Sequence, residues 1–505
     1  MVLLMIKDDV QASRQERSRT LNQDELDTLV RAFQHIISLK PDEKNSYFTI
    51  AGYHGLPAPM YCQHFTVLFP TWHRAYLLRL ENALRSAPGC SDLALPYWNE
   101  TSSSSVKEGL PDIFTRKDYI FKDGTKVSNP LFSYKLQEDV HDLDNKGKDL
   151  SNGYTKPKGY NTVRYPYSGL VSSDFSAKTS DHNAEVNKLP PGQPTELLNG
   201  NIKRWLNLKA FENHEGQTVP AGIADNFKEC LKAPNYTVFS NANSAQDWNT
   251  KKVEGGFGSV VVSLEEPHNS MHLAVGGFDV PGPDNDNSDV YPFANGDMGE
   301  NDTAAFDPVF FFHHCFIDYM FWKWQDTHNK SKKLDIISGF KGTEGLSLDT
   351  PLDPFTREDI TPGDTRPMTS NDVTDTANLG YDYPRPDFQA ILPGPDLREG
   401  PKITATGINR ARIRGSFVIS TWTKGKNGQP DKLVDTKSVL SRWNVESCEN
   451  CQNYLEIKSH RKLYGFSDDE ALNSEFYALI HTRDNPEGID TIEGNKIQTE
   501  IGTAQ

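Results

Sequence analysis

Two stretches of this chain are helical in pattern and apolar on most faces, and they dictate much of what it can fold into. From about Asp307 to Thr327 the sequence reads DPVFFFHHCFIDYMFWKWQDT, and from about Pro70 to Ala87 it reads PTWHRAYLLRLENALRSA. A helix that is hydrophobic all round must be surrounded by other elements, so both are predicted to lie inside a helical core. A third, amphipathic helix is predicted over residues 20–40. There Leu26, Leu29, Val30, Phe33, Ile36 and Ile37 recur at helical spacing behind capping-type residues.

The rest of the chain sorts around these helices. Its 505 residues are too many for one ordinary domain, so two are expected. Residues 100–250 are rich in Gly, Ser, Asn, Asp and Lys, as in TSSSS at 101–105 and DNKGKDLSNGY at 144–154, and read as long surface loops with short helices. Near residue 380 the helical material gives way to LGYDYPRPDF and the Pro-rich ILPGPDLREGPK. A boundary is predicted there, dividing the chain into residues 1–385 and 386–505. Beyond it, RIRGSFVISTWT, KLVDTKSVLSRW, QNYLEIKSH and EFYALIHT are short runs enriched in β-branched and aromatic residues, separated by turn residues. They predict a small β-sandwich behind a mainly α core.

Charge and hydropathy exclude several function classes. A formal charge of −16 would repel phosphate backbones, so no nucleic-acid partner is expected. No apolar run approaches the length of a membrane span. The start, MVLLMIKDDVQ, meets Lys7, Asp8 and Asp9 before a secretory apolar region could form, and the chain is read as intracellular and cytoplasmic. Six cysteines are too few for a disulfide scaffold at this length.

The histidines carry the chemical signal. His54, His64 and His73 fall within one short, apolar-flanked stretch. Neutral imidazole is the commonest transition-metal ligand, and apolar walls disfavour the protonated form that competes with the metal. Any one of the three alone would read as an ordinary core or surface residue; together they point to a metal site. Further on, His268 and His272 are four apart in LEEPHNSMHLAVGGF and share a helix face. His313 and His314 are adjacent on the apolar helix, so at most one can join them. His314 is chosen because Asp318, four residues on, shares its face, either as a carboxylate that orients the ring or as a plain surface charge. Arg74 and Glu81 lie on one face and are expected to pair. Cys62 stands two residues before His64, either as a thiol beside a metal or as a small buried hydrophobe.

These segments resemble the tyrosinase family of type 3 copper proteins, which includes catechol oxidases and molluscan haemocyanins. The first-site pattern is met by His64, Phe69, Pro70, Trp72, His73, Arg74, Leu77 and Glu81, and the second by Asp307, Pro308, Phe310, Phe311, His314 and Asp318. The resemblance implies a four-helix bundle around two copper ions, with O2 as co-substrate. His54, His64 and His73 would hold one copper, and His268, His272 and His314 the other. It also implies a thioether between Cys62 and His64. Tyr381-Asp382-Tyr383 looks like the tyrosine motif that closes the family's catalytic core, and Cys448-Glu449-Asn450-Cys451 like the copper-loading motif of fungal proenzymes. A disulfide or half of a zinc site is the generic alternative for that last pair.

By the same resemblance, Glu265, with Glu266 as the alternative, and Asn269 would hold the water that takes the proton of a phenol. Acidic residues at a helix start also serve as ordinary dipole partners. Phe310 and Gly276 are candidates for shaping substrate access, with packing and chain turning as alternatives. The implied activity is hydroxylation of monophenols to o-diphenols and oxidation of these to o-quinones. Catechol oxidase, o-aminophenol oxidase and oxygen carrier are the rival readings. A side chain of the C-terminal domain, among Leu440, Trp443, Tyr464 and Phe466, is expected to cover the site and make the enzyme latent. A small phenol is the expected partner, and a homo-oligomer remains open.

Overall fold

The computed structural model describes residues 21–143, 147–148, 153–211, 218–250, 260–282, 293–383, 401–463 and 465–502. The apolar start of the chain, the predicted boundary at 385 and Tyr464 lie outside the described residues.

Five helices position the site: α1 (Gln23–Ser38), α2 (Phe69–Arg85), α3 (Gln193–Asn207), α4 (Glu265–Gly276) and α5 (Val309–Thr327). Helix α1 opens on a reciprocal cap. Asn22 Oδ1 accepts from the Glu25 amide and Glu25 Oε2 accepts from the Asn22 amide, both at 3.0 Å. Its apolar stripe then faces α5, with Phe33 stacked on Phe312 at 5.8 Å between ring centres. The two largely apolar helices do lie inside: every residue of α5 from Val309 to Trp322 is buried, as is every residue of α2 from Phe69 to Glu81. Burying each large side chain contributes about 1.5–3 kcal/mol, which is why these two helices organise the core. Helices α1, α2, α4 and α5 form the helical core predicted from the sequence. Among the described residues, no helix is long and apolar enough to cross a membrane.

Buried ionic contacts differ from the sequence expectation. Arg74 does not pair with Glu81. Its Nε donates to Asp318 Oδ1 at 2.6 Å, joining α2 to α5, while Glu81 pairs with Arg85 at 2.5 Å one turn along. Asp318 therefore does not orient His314. Its other oxygen accepts from the hydroxyls of Tyr381 and Tyr383, each at 2.7 Å. The tyrosine motif thus closes the core by satisfying a buried carboxylate.

Residues 100–250 are more helical than expected. Helix α3 buries Leu197, Leu198, Ile202, Trp205 and Leu206 and packs on the end of α4, where Asn201 Nδ2 donates to Ala274 O at 2.8 Å. Further helices cover Ser176–Val186, Ile223–Cys230 and Ala242–Thr250. The polar loop composition between these segments had masked a regular apolar stripe.

The C-terminal part contains β1 (Lys402–Asn409), β2 (Phe417–Thr423), β3 (Lys432–Val439), β4 (Glu456–Lys462), β5 (Phe476–Thr482), β6 (Asn485–Ile489) and β7 (Gln498–Gly502). They form antiparallel sheets ordered β4-β1-β7 and β6-β5-β2-β3. Ala405, Ile408 and Ile457 from one sheet and Phe417, Ile419 and Ile480 from the other share a single apolar cluster, so the two sheets make a sandwich. Strand β3 lies over α4, where Lys437 Nζ reaches Glu266 Oε1 at 3.1 Å.

Candidate metal centre

His54 follows the short helix Tyr47–Gly52, His64 lies in the loop before α2, and His73 sits in the first turns of α2. Their ring centres are 5.1–5.6 Å apart. His268 and His272 project from one face of α4, 4.5 Å apart, and His314 meets them from α5 at 4.9 and 5.6 Å. The two sets face each other, with His73 and His314 stacked at 4.4 Å and His64 and His268 5.3 Å apart. All six predicted ligands are thus brought together.

The ligand nitrogens converge in a way that polar groups in a dry core otherwise avoid. All six rings are 0–3% exposed. No nitrogen of His54 or His64, nor His73 Nε2 or His314 Nδ1, makes a hydrogen bond of ordinary geometry. His314 Nε2 faces His268 Nε2 at 3.3 Å and His272 Nε2 at 3.4 Å. Buried polar groups of native proteins are nearly always satisfied. Two sets of three inward-facing nitrogens fit metal ions, and the donor set suits copper, zinc or iron over magnesium or calcium. Burial holds the rings neutral and ready to ligate: His73 is lowered to about 3, and His54, His64, His268, His272 and His314 lie well below the ordinary range.

Several rings are fixed by their other nitrogen. His73 Nδ1 bonds Phe69 O and His272 Nδ1 bonds Met298 O, both at 2.8 Å. His268 Nδ1 lies 3.0 Å from Asn269 Oδ1, so Asn269 touches a predicted ligand directly. His313 stays near the second set, but its Nδ1 is held by Glu100 Oε1 at 2.5 Å. Burial raises the Glu100 carboxyl well above the usual range and lowers His313 to about 3. Glu100 escaped the sequence reading because a lone acid after Asn99 carries no periodic signal. Met298 and Phe69 act through backbone carbonyls, which no residue type reveals.

The remaining predicted residues fall as follows. Phe310 is buried with its ring 4.0 Å from His314 and 4.7 Å from His54, packed among the ligands. Gly276 is required by close packing, since a Cβ there would collide with the backbone of Gly299. Glu265 is fully buried; its Oε1 accepts from the Phe65 amide at 2.9 Å and its Oε2 from the Ala242 amide at 2.8 Å. Burial pushes its carboxyl up to about 7, against the pull of those amides and of Arg410. Cys62 carries a free thiol that accepts from Asn301 Nδ2 at 3.4 Å. Cys448 and Cys451 are joined as a disulfide, one of the generic alternatives for this pair, so their sulfurs are not thiolate ligands in this form. Of the covering candidates, Leu440 belongs to the apolar cluster of the catalytic core. Trp443 packs against Tyr154 and Phe175, and Phe466 lies in the sandwich's own core.

A helical core presenting two facing, buried histidine triads defines a candidate transition-metal protein with room for metal at each triad. The family's common central domain of tyrosinase matches residues 44–327. A tyrosinase of Aspergillus oryzae is 40% identical, with 95% of each chain covered. A Hahella tyrosinase, HcTyr2, is also 40% identical, over 92% of this chain and 89% of its own. The solved structure of a Burkholderia thailandensis tyrosinase at high pH superposes with a TM-score of 0.79 at 35% identity, covering 99% of both chains. The chain belongs to the tyrosinase family and is a copper oxidoreductase.

Proposed function

We propose that this chain is a latent tyrosinase that binds two copper ions, one per histidine triad, and converts monophenols to o-diphenols and these to o-quinones. The observation that carries the reading is the pair of facing triads, with His73 stacked on His314 at 4.4 Å. Bound copper would supply the activation of O2 and the redox chemistry of the ring. The protein's own residues supply geometry, dryness and proton handling. Phe69, at 4.7 Å from His73 and 4.9 Å from His268, and Phe310 wall the rings against water.

A monophenol must lose its proton to bind as phenolate, and its ordinary pKa near 10 calls for a base. Glu265 is assigned this role through a water. Its near-neutral acidity suits a group that accepts a proton at physiological pH, and Asn269 stands one turn along the same face beside His268. The rival, a purely architectural Glu265, is favoured by its two backbone hydrogen bonds. Glu265→Gln decides between them: the assigned role lowers monophenol hydroxylation more than diphenol oxidation, whereas equal losses leave only architecture.

Latency is supported by the burial of all six candidate ligands in the full chain and by Leu440 packing into the apolar cluster of the helical core. O2 uptake by the copper-loaded chain, before and after a cut near residue 385, tests the whole reading. Activity on catechol and a monophenol that rises on cutting supports it. Catechol alone as substrate reduces the enzyme to a catechol oxidase, and silence in both states makes it an oxygen carrier. The Cys62–His64 thioether is part of the same proposal and is read as a peptide mass lower by two hydrogens.

A further inference from the structure

Between α4 and α5 the backbone from Met298 to Asp302 touches both halves of the metal centre and the C-terminal sandwich at once. Toward the second triad, Met298 O takes the hydrogen bond of His272 Nδ1, and Gly299 lies so close to Gly276 that a Cβ on the latter would collide with it. Toward the first triad, Asp302 O accepts from the Leu56 amide at 2.8 Å. Gly55, next to His54, lies against the Asn301 and Asp302 carbonyls with no room for a Cβ. Asn301 Nδ2 also donates to Cys62 Sγ.

Asn301 and Asp302, which meet the first triad, are gripped from the other side by the sandwich, as is their neighbour Glu300. Glu300 pairs with Arg483 and accepts from the Ser416 amide at 3.2 Å. The Asn301 amide donates to Ser441 O at 3.1 Å. Asp302 takes Arg442 Nε and Nη2 on Oδ1, at 2.9 and 2.7 Å, and the Trp443 amide on Oδ2 at 2.7 Å. Both carboxylates are fully buried, and their arginines are at most 6% exposed. Charge-assisted bonds in a water-excluded setting fix position tightly. The polar groups of the segment are thus shared between the histidine-bearing core and the sandwich.

We propose that Met298–Asp302 is a strap through which docking of the C-terminal domain positions His54 and His272, one ligand of each triad. The sandwich then acts on ligand geometry as well as on access to the site. This rests on the dicopper reading, in that the strap's cargo is two copper ligands. Because binding linkage is reciprocal, copper in the centre also tightens docking.

The test uses the full chain with Arg442→Gln and the near-isosteric Asp302→Asn, each of which cuts the grip on the strap. Gln246→Ala is the control: its side chain bonds Glu456 O and the Lys458 amide, a contact between core and sandwich away from the strap. In the copper-free protein, amide exchange at Leu56 is expected to accelerate about tenfold in the two strap variants and less than about twofold in the control. In the copper-loaded protein, release to a chelator is expected to quicken about tenfold in the strap variants alone, the scale of losing a partner that orients a ligand. Arg442→Lys is expected to restore most of both. Strap variants that match the control in Leu56 exchange overturn the proposal. A wild-type chain that takes up no copper overturns the dicopper reading instead, while the exchange comparison still decides the strap.

Discussion

The two halves of the metal centre present three imidazoles each, but they are built from different material. In the second half all three ligands stand on long helices, and two of the rings are tied by their second nitrogen, His268 to Asn269 and His272 to Met298 O. In the first half two of the candidate ligands are carried by loop, and no ring nitrogen of His54 or His64 makes an ordinary hydrogen bond. Their orientation comes from ring packing, with Phe310 at 4.7 Å from His54 and Phe69 at 5.5 Å from His64. The second half therefore rests mainly on its helices and meets the strap only at Met298 O, whereas the first depends more widely on its neighbours, including the strap and the loop around Cys62.

Removing a ligand breaks the comparison most severely. His314→Ala or His54→Ala is expected to abolish phenol oxidation and lower copper from about two per chain to about one, because three donors are the least that hold such an ion while leaving an open position. Metal analysis with the oxidation assay reads both. Next is the link between the halves. Arg74 follows His73 on α2, and Asp318 shares α5 with His314, so their buried pair ties one helix of each half to the other. Asp318→Ala strands Arg74 and two tyrosine hydroxyls and is expected to cost about 3–5 kcal/mol, measured by urea unfolding.

A subtler variant sharpens the asymmetry. If ring tethers make the second half the tighter one, a chelator removes first-half copper sooner, and Asn269→Ala narrows that gap by about tenfold. Equal release rates in the wild type would erase the distinction. The smallest effect concerns pH and lies outside both halves, since burial keeps all six rings neutral. Asp142 is pushed up to about 7, by burial first and then by the Asp302 charge. A folded-state pKa raised above the unfolded one gives stability that is full below the ordinary carboxylate range and is lost as pH rises through about 7. Asp142→Asn should flatten that loss, by at most about 1.4 kcal/mol per pH unit, as read from urea midpoints at pH 5 and pH 8.

The site was legible in the sequence where chemistry and periodicity coincide. His268 and His272 share a face because four residues make about one helical turn, and α5 had to be buried because it has no polar side. The sandwich showed itself through strand-like runs and turn residues. What stayed hidden was fixed by tertiary approach. Arg74 found Asp318 and not Glu81 because α2 meets α5 there, and Asp318 was consequently spent on Arg74 and two tyrosines instead of His314. Helix α3 was obscured by the polar segments around it. The strap acts mainly through backbone atoms and glycine contacts, which leave only faint marks in residue type.

The central claim is that two facing histidine triads hold a coupled copper pair. It is tested most directly by measuring copper content together with the near-ultraviolet absorption of the hydrogen peroxide-treated full chain. About two coppers per chain with a strong new band is the expected result; two coppers without the band, or a single copper, would contradict it.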